Sequence, residues 1–450
     1  MKTIVIAGAT GFIGRWFIHR YHKEYHIIAL SRANVGASAY PEVEWRQVDL
    51  YSLSSTTAAL KGADYALYLV HSMQPSTRLN QSNFEDTDLL LADNFVRAAE
   101  LAGLKQIVFI GGILPKDSDD FSTHLKSRYE TELTLGSSSV PFTSLRAGII
   151  IGPGGSSFKI VEKLVSRLPV MACPEWCTSP SQPIDIEDML VIISHCFGKR
   201  EVFERALEIG GEEVVTYRQI LERTAQKMNK SRLIFSIPLF TLGFSKLWVA
   251  LFSDSSTTFV APLIESLKHD MRIDPALGQS IVKPKIGIDD SIMRAISEPG
   301  PQLKRVSILQ KEKNTVRSVQ RLKNPGNKSV EWVANAYPAW LTNSFKFVIR
   351  AVEVDNELHF RLLGISLLQL KYMPERSDER RRLFFIVGGV LCKRKDYGWL
   401  EFRSVLDNQY IIAAIHEFVP SLPWYVYRYT QAVVHLIVMN RFNAFLRRQT

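Results

Sequence analysis

TIVIAGATGFIGRWFIHRYHK, residues 3–23, decides how the first half of the chain reads. An apolar run is followed directly by glycines at positions 8, 11 and 14, then by apolar residues at helical spacing. The pattern predicts a buried strand, a glycine turn and an amphipathic helix. Such a turn lets backbone N–H groups approach a pyrophosphate, and the helix N-terminus adds a dipole favourable to anions. Gly8, Gly11 and Gly14, with Thr10, Phe12 and Ile13 around them, are the expected dinucleotide-turn residues. A tight turn without a ligand is the alternative.

The next apolar run, YHIIALSR, ends on Ser31 and Arg32, where an acidic residue would hold the ribose 2′-hydroxyl of NAD. With Arg15 following the glycines, these residues suit a 2′-phosphate, so NADP(H) is expected over NAD(H). Solvated surface is the plain reading of either arginine. Further strand-like runs, VEWRQVDL, ADYALYLVH, KQIVFIGG and FTSLRAGIIIG, alternate with helical patterns. That alternation predicts an α/β fold with a doubly wound parallel sheet. Asp49 and Leu50 end one strand and are expected to border adenine. His71, Ser72 and Met73 end the next and are expected on the nicotinamide side, or serve only as strand ends.

The motifs GATGFIG, LSR, VDL, GLKQIVFIGG, HLKSRYETE and LRAGIIIGPG, in this order, resemble the extended or atypical short-chain dehydrogenase/reductases, of NmrA-like or epimerase-like type. QPIDIEDML resembles that family's strand and Asp-initiated helix. The resemblance covers about residues 1–300 and implies a Rossmann domain, with a substrate-side lobe from about 150–180 and 230–300. Active members carry a Tyr-x-x-x-Lys pair and a hydroxyl after the fifth strand. In that register this chain places His124 for the tyrosine and Arg128 for the lysine, with Ser127 and Glu132 also in step. Gly111 and Gly112 stand where the hydroxyl is expected, and both are read as bordering the cofactor. Arg128 can hold a ribose or phosphate but cannot release a proton. His124 can titrate, although a neighbouring guanidinium favours its neutral form. A neutral imidazole still donates one N–H and is a weaker acid. The pair is therefore read either as altered catalytic residues or as cofactor-binding and helix-capping ones. Arg146, Ser156 in GPGGSSF, and Trp176 complete, with Met73, the expected substrate pocket; a ligand-free loop and a packed aromatic are the plain alternatives for the last two.

A chain of 450 residues exceeds one ordinary core. A net charge of +10 suits phosphate binding, and no zinc-finger or RNA-binding signature accompanies it, so nucleic acid is not expected as a partner. Four cysteines form no disulfide framework and no metal-ligand spacing, which fits a reducing cytoplasm without a bound metal. Residues 233–253 are long enough to span a bilayer, yet Pro238, Gly243 and Lys246 interrupt them, so a span is not expected. Peripheral membrane contact through the basic surface and that segment is a third, weaker alternative.

After residue 300 the composition shifts. Residues 301–327 read as a linker, and residues 328–450 as strands closed by a long helix over 424–447. An apolar stripe on that helix is read through Val426, Tyr429, Val433, Leu436 and Phe442. Antiparallel strands around one long helix suggest an α+β helix-grip fold with an apolar cavity. SVQRL, PERSDERRRLFFIVGG, LEFR, AIHEFVPSLPWYVYRYTQAVVH and VMNRF resemble an uncharacterised START/polyketide-cyclase-like domain that follows atypical reductases in bacterial proteins. Arg376, Glu379, Arg380 and Arg381 read as a solvated charged face, with ion pairs as the alternative. His416 and His435 read as cavity lining or as structurally bonded side chains.

The expected function is that of an NADP(H)-binding reductase or isomerase acting on an apolar carbonyl or enone, with the C-terminal domain holding an apolar ligand. The alternative is a catalytically silent, NADP(H)-responsive protein carrying a lipid or isoprenoid.

Overall fold

The computed structural model describes residues 1–33, 40–72, 79–115, 121–236, 265–277, 281–303, 315–345, 349–355, 357–395 and 397–449. The chain divides into two units: Met1–Met73 with Asn94–Leu309, and Gln74–Asp93 with Gln310–Thr450. Residues 301–327, read as a linker, contain the strand Val316–Lys323. That strand pairs antiparallel with Tyr410–Phe418 and parallel with Leu79–Gln81. The second unit thus takes a strand from early in the chain, and no local sequence signal announces such a pairing.

The first unit is built on a seven-stranded sheet. Its order is Arg205–Ile209, Phe142–Ala147, Gln106–Gly112, Tyr65–Tyr68, Thr3–Ala7, His26–Ser31, Glu44–Gln47, with every pairing parallel. The order reverses beside Thr3–Ala7, and the crevice at such a reversal is where doubly wound sheets bind nucleotides. Ile4 to Ala7 have no exposed surface, which is why the strand reads as a continuous apolar run. Helices Phe12–Tyr21 and Ile186–Cys196 pack in the same apolar core as the sheet, through residues such as Phe17, Ile18, Met189 and Ile193. Ile184–Asp185 forms a short strand, and Asp185 caps Ile186–Cys196 by accepting the Glu187 N–H at 2.7 Å. This is the strand and Asp-initiated helix expected from QPIDIEDML.

The second unit carries an eight-stranded sheet, antiparallel apart from Leu79–Gln81. Helices Val330–Ser344 and Gln431–Leu446 contribute to its apolar core. An aromatic cluster fills that interior: Tyr337 lies 5.0–6.3 Å from the rings of Trp340, Phe360, Phe402 and Phe442.

On the side chains that alternate with this core, the sheet is charged and buried. Glu401 accepts from Arg381 at 2.6 Å, from Arg403 at 3.1 Å and from His416 at 3.1 Å. Arg403 also donates to Asp93 at 2.6 Å, and Arg321 to Asp86 at 2.6 Å. Arg381 is therefore not part of a solvated face. It pairs across the sheet with Arg403, and both guanidinium groups share one carboxylate. Burial alone would raise the pKa of Glu401, but Arg403, Arg381 and His416 outweigh it and hold the carboxyl well below its usual range.

The closing helix breaks at Thr430 (φ −122°, ψ −87°) into Trp424–Tyr429 and Gln431–Leu446. Its buried side is Ala432, Val438, Met439, Phe442 and Leu446. Of the stripe read from sequence, Tyr429, Val433 and Leu436 are exposed. In the first turns of Gln431–Leu446 apolar residues stand at 432, 433, 434, 436, 437 and 438, so periodicity could not choose the inward face. Residues 237–264, most of the interrupted apolar segment, lie outside the described residues. Among the described residues no helix is long and apolar enough to cross a membrane.

Candidate functional site

The glycine turn is built for close approach. Gly8 has φ +92°, and a Cβ there would meet the Leu69 backbone at 3.0 Å. A Cβ on Gly14 would lie 2.6 Å from the Gly8 carbonyl oxygen and 2.8 Å from Ala9 Cα. Gly11 N–H donates to the Gly8 carbonyl at 2.9 Å, and Gly11 is the N-cap of Phe12–Tyr21. This helix start has no side-chain cap and no acidic residue in its first turn. Its leading N–H groups and dipole therefore suit an anion. Phe12 has its ring against Gly152 and Gly155, where added Cβ atoms would approach to 3.4 and 3.1 Å. Trp16 donates to the Pro153 carbonyl at 3.0 Å. GPGG is thus glycine-rich because it packs on the cofactor-turn helix and on Ile186, whose Cγ2 would lie 2.4 Å from a Cβ on Gly152.

At the second strand's end Ser31 is buried and accepts the Ala33 N–H at 3.1 Å, whereas Arg32 is exposed. Arg15 folds back to the Gly11 carbonyl at 3.2 Å. Asp49 accepts the Tyr51 N–H at 3.2 Å, and Leu50 beside it is buried. Asn94, which sequence reasoning passed over, donates to the carbonyls of Leu50 and Tyr51 at 2.8 and 3.0 Å and fixes this turn. Thr10 and Ile13 lie partly exposed at the glycine turn. Met73 lies outside the described residues.

HLKSRYETE falls in the helix Thr123–Leu135, capped by Ser122 through the Leu125 N–H at 3.2 Å. Arg128 is buried and donates to the Val70 carbonyl at 2.9 Å and to the Ile110 carbonyl. Its guanidinium lies 4.5 Å from the Phe109 ring centroid. The expected ribose grip therefore competes with a scaffold duty, tying together the C-terminal ends of two neighbouring strands. Glu132 accepts from Ser144 at 2.7 Å and from Arg146 Nε at 3.0 Å. Arg146, expected in the substrate pocket, is engaged by that carboxylate.

Gly111 and Gly112 follow from this helix. A Cβ on Gly112 would come within 2.9 Å of Leu125, and one on Gly111 within 3.1 Å of Phe109 and 3.4 Å of Glu132. A side chain at either position would make the Leu125 side-chain end or the Phe109 ring shift.

The ring of His124 lies 5.1 Å from that of His71, and its Nδ1 is 3.3 Å from Ser266 Oγ. Ser266 is buried and also bonds the Ser122 hydroxyl at 2.8 Å. Burial first, then His71 and Arg128, push the His124 pKa well below its usual value. That direction favours the neutral imidazole. Met271 joins Ile113 and Leu125 in a small apolar cluster alongside. Ser266 lies 142 residues from His124 in sequence, a separation no spacing rule bridges. Ser72 follows His71 as the second strand-end residue of this group, half-buried.

The other two expected pocket residues lie on further elements of the same unit. Ser156 is exposed at the first position of the helix Ser156–Arg167. Trp176 packs between two small apolar clusters, its ring 6.2 Å from Tyr217. Cys173 and Cys177 are buried free thiols near it. Among the described residues no three His, Cys, Asp or Glu side chains gather as a metal site.

Residues 8–166 match the model of a family described as NAD(P)H-binding. A curated relative, the auxiliary protein GraX of Staphylococcus aureus, is 28% identical over 117 residues, which is 24% of this chain and 36% of that protein. The match thus spans about a third of the relative's length. Among solved structures, a nucleoside-diphosphate-sugar epimerase from Staphylococcus aureus superposes with TM-score 0.50 at 15% identity, covering 65% of this chain and 100% of that one. The Citrobacter sp. triphenylmethane reductase complexed with NADP(H) gives TM-score 0.50 at 15% identity, covering 65% and 99%. At these identities the likeness is one of fold. The seven-stranded parallel sheet, its order reversal and the glycine turn give the N-terminal unit a Rossmann-like fold, and its residues 8–166 are similar to the NAD(P)H-binding family.

Proposed function

We propose that this domain prefers NADP(H) and reduces or isomerises an apolar carbonyl or enone, with His124 as the proton donor. Bound NADP(H) would supply the hydride. The Gly8–Gly14 cradle and the helix start would hold its pyrophosphate, and Arg15 and Arg32, with no acidic residue at the strand end, suit a 2′-phosphate. Gly111 and Gly112 would let the ligand come close to the strand end. His124, neutral, would donate its N–H to the substrate oxygen as negative charge develops there, then recover a proton from solvent. The observation that carries this reading is His124 itself. It is a titratable group held neutral, oriented by Ser266, in the helix register where related reductases keep their acid.

Arg128 favours a second reading. Its bonds to two strand-end carbonyls leave the family's lysine role unfilled, which suits a catalytically silent, nucleotide-responsive binding protein. A START-like, ligand-holding role for the second unit rests on its antiparallel sheet and long helix. Tyr337, Trp340 and Phe442 lie in that interior, and such a ligand would pack against their rings.

The test is deuteride transfer from stereospecifically labelled NADPH to a panel of apolar ketones, enones and quinones. Transfer to one face, reduced about 100-fold in His124→Phe, supports catalysis. Tight NADPH binding with no transfer across the panel overturns it in favour of the silent protein.

A further inference from the structure

We propose that the outward face of Trp424–Tyr429 and Gln431–Leu446 docks on an anionic lipid membrane surface. Tyr425, Tyr429, Val433, Val434, Leu436 and Ile437 are 57, 73, 44, 56, 40 and 46% exposed. Tyr425 and Tyr429 lie on Trp424–Tyr429, and Val433, Val434, Leu436 and Ile437 on Gln431–Leu446, whose other side already packs in the core through Ala432, Val438, Met439 and Phe442. A surface helix normally turns polar residues outward, and contiguous exposed apolar area of this kind marks an interaction site.

Charge selects the occupant. From Phe418 to the C-terminus the sequence contains no Asp or Glu, while Arg428, Arg441, Arg447 and Arg448 stand there, all exposed. A second copy docked through the same helices by two-fold symmetry would bring like-charged arginine-bearing runs together, and no carboxylate of those runs would answer them. A bilayer rich in anionic lipid answers both features at once. Its headgroups attract the arginines, and its acyl boundary accepts the valine, leucine and isoleucine side chains. The exposed tyrosines suit the interfacial zone, where an aromatic ring can bury while its hydroxyl stays wet. At 16 residues Gln431–Leu446 is about 24 Å long, too short to span the hydrocarbon core, so it would lie in the interface plane. This surface is distinct from residues 233–253, and the proposal does not depend on the reductase reading.

The experiment is flotation of the full-length protein with phosphatidylcholine vesicles, with and without phosphatidylserine, at low and high salt. The expected result is binding to the serine-containing vesicles only, weakened by salt. Leu436→Gln with Ile437→Gln should lower partitioning by at least about tenfold. Arg447→Gln with Arg448→Gln should lower it roughly 30-fold on anionic vesicles. Thermal melts check that the variants are folded. Hydrogen exchange of the wild type, with protection of the residue 424–446 peptides on vesicle addition, reads the same contact without a variant. Absence of flotation at low salt overturns the proposal, as does flotation unchanged by both folded double variants. A concentration-dependent dimer broken by Leu436→Gln with Ile437→Gln, in a protein that ignores vesicles, overturns it in favour of self-association.

Discussion

Ser266 Oγ lies 3.3 Å from Nδ1 of His124 and 2.8 Å from the hydroxyl of Ser122, which caps the helix carrying that histidine. Where the reductases that the sequence resembles place a hydroxyl after the strand, this chain has Gly112, at which an added Cβ would meet Leu125 at 2.9 Å. Ser266 brings a hydroxyl to the imidazole from another part of the chain. A hydrogen bond at Nδ1 sets which nitrogen bears the proton. Ser266→Ala should therefore change the tautomer of His124, read from its imidazole nitrogen shifts, while NADPH affinity stays within about twofold. An unchanged tautomer would remove Ser266 from the site.

Arg128→Met separates the scaffold role from a ribose grip. The substitution removes two charge-assisted hydrogen bonds, to Val70 and Ile110, at about 1.5–3 kcal/mol each. The scaffold role predicts a clear fall in thermal stability, accompanied by weaker NADPH binding because the strand ends loosen. A ribose grip alone predicts weaker binding with an unchanged melting temperature. Differential scanning calorimetry beside a nucleotide titration distinguishes the two.

Gly14→Ala tests the cradle. A methyl group there meets backbone atoms of Gly8 and Ala9 at 2.6–2.8 Å, none of which can swing aside as a side-chain end would. The turn must open, and NADPH affinity should fall by about tenfold or more at a stability cost of about 1–3 kcal/mol. Isothermal titration measures the first and chemical denaturation the second.

The parallel sheet and the glycine turn were legible because their signals are local. A strand buried on both faces reads as an unbroken apolar run, and glycines stand where a Cβ has no space. The helix carrying His124 and Arg128 was legible through its register. What each side chain touches was not. Arg128 reaches carbonyls on two strands, Ser266 arrives from 142 residues away, and Asp93 meets Arg403 across 310 residues. Such pairings arise only when the sheet has formed. The closing helix failed for another reason: with Val433, Val434, Leu436 and Ile437 apolar beside Ala432 and Val438, periodicity carries no preferred face.

Glu401→Gln should be among the most damaging single substitutions in the second unit. It removes the charge that Arg381, Arg403 and His416 share, and leaves two buried guanidinium groups facing a neutral amide. Breaking a buried ion pair from one side costs about 3–5 kcal/mol. Asp93→Asn should couple to it, because Arg403 bridges both carboxylates. A double-mutant cycle by urea denaturation should show clear non-additivity. Independent effects would dismantle the network.

The same unit should lose stability in two steps as the solution is acidified. Burial lowers the pKa of His435 from 6.5 to about 4. Between those values the unfolded chain binds a proton that the folded one refuses. Stability is therefore intact above about pH 6.5 and declines as pH falls toward 4, by about 2 kcal/mol at pH 5. His435→Leu should abolish that share of the slope. Glu401 adds the second step, because its folded pKa is held well below the unfolded value of 4.5. Its contribution is present above pH 4.5 and drains away as pH falls further, when the unfolded carboxylate takes up a proton first. Urea midpoints at pH 7, 5 and 4 for the wild type and His435→Leu measure both steps. Parallel curves for the two proteins between pH 7 and 5 would show that His435 titrates as freely folded as unfolded.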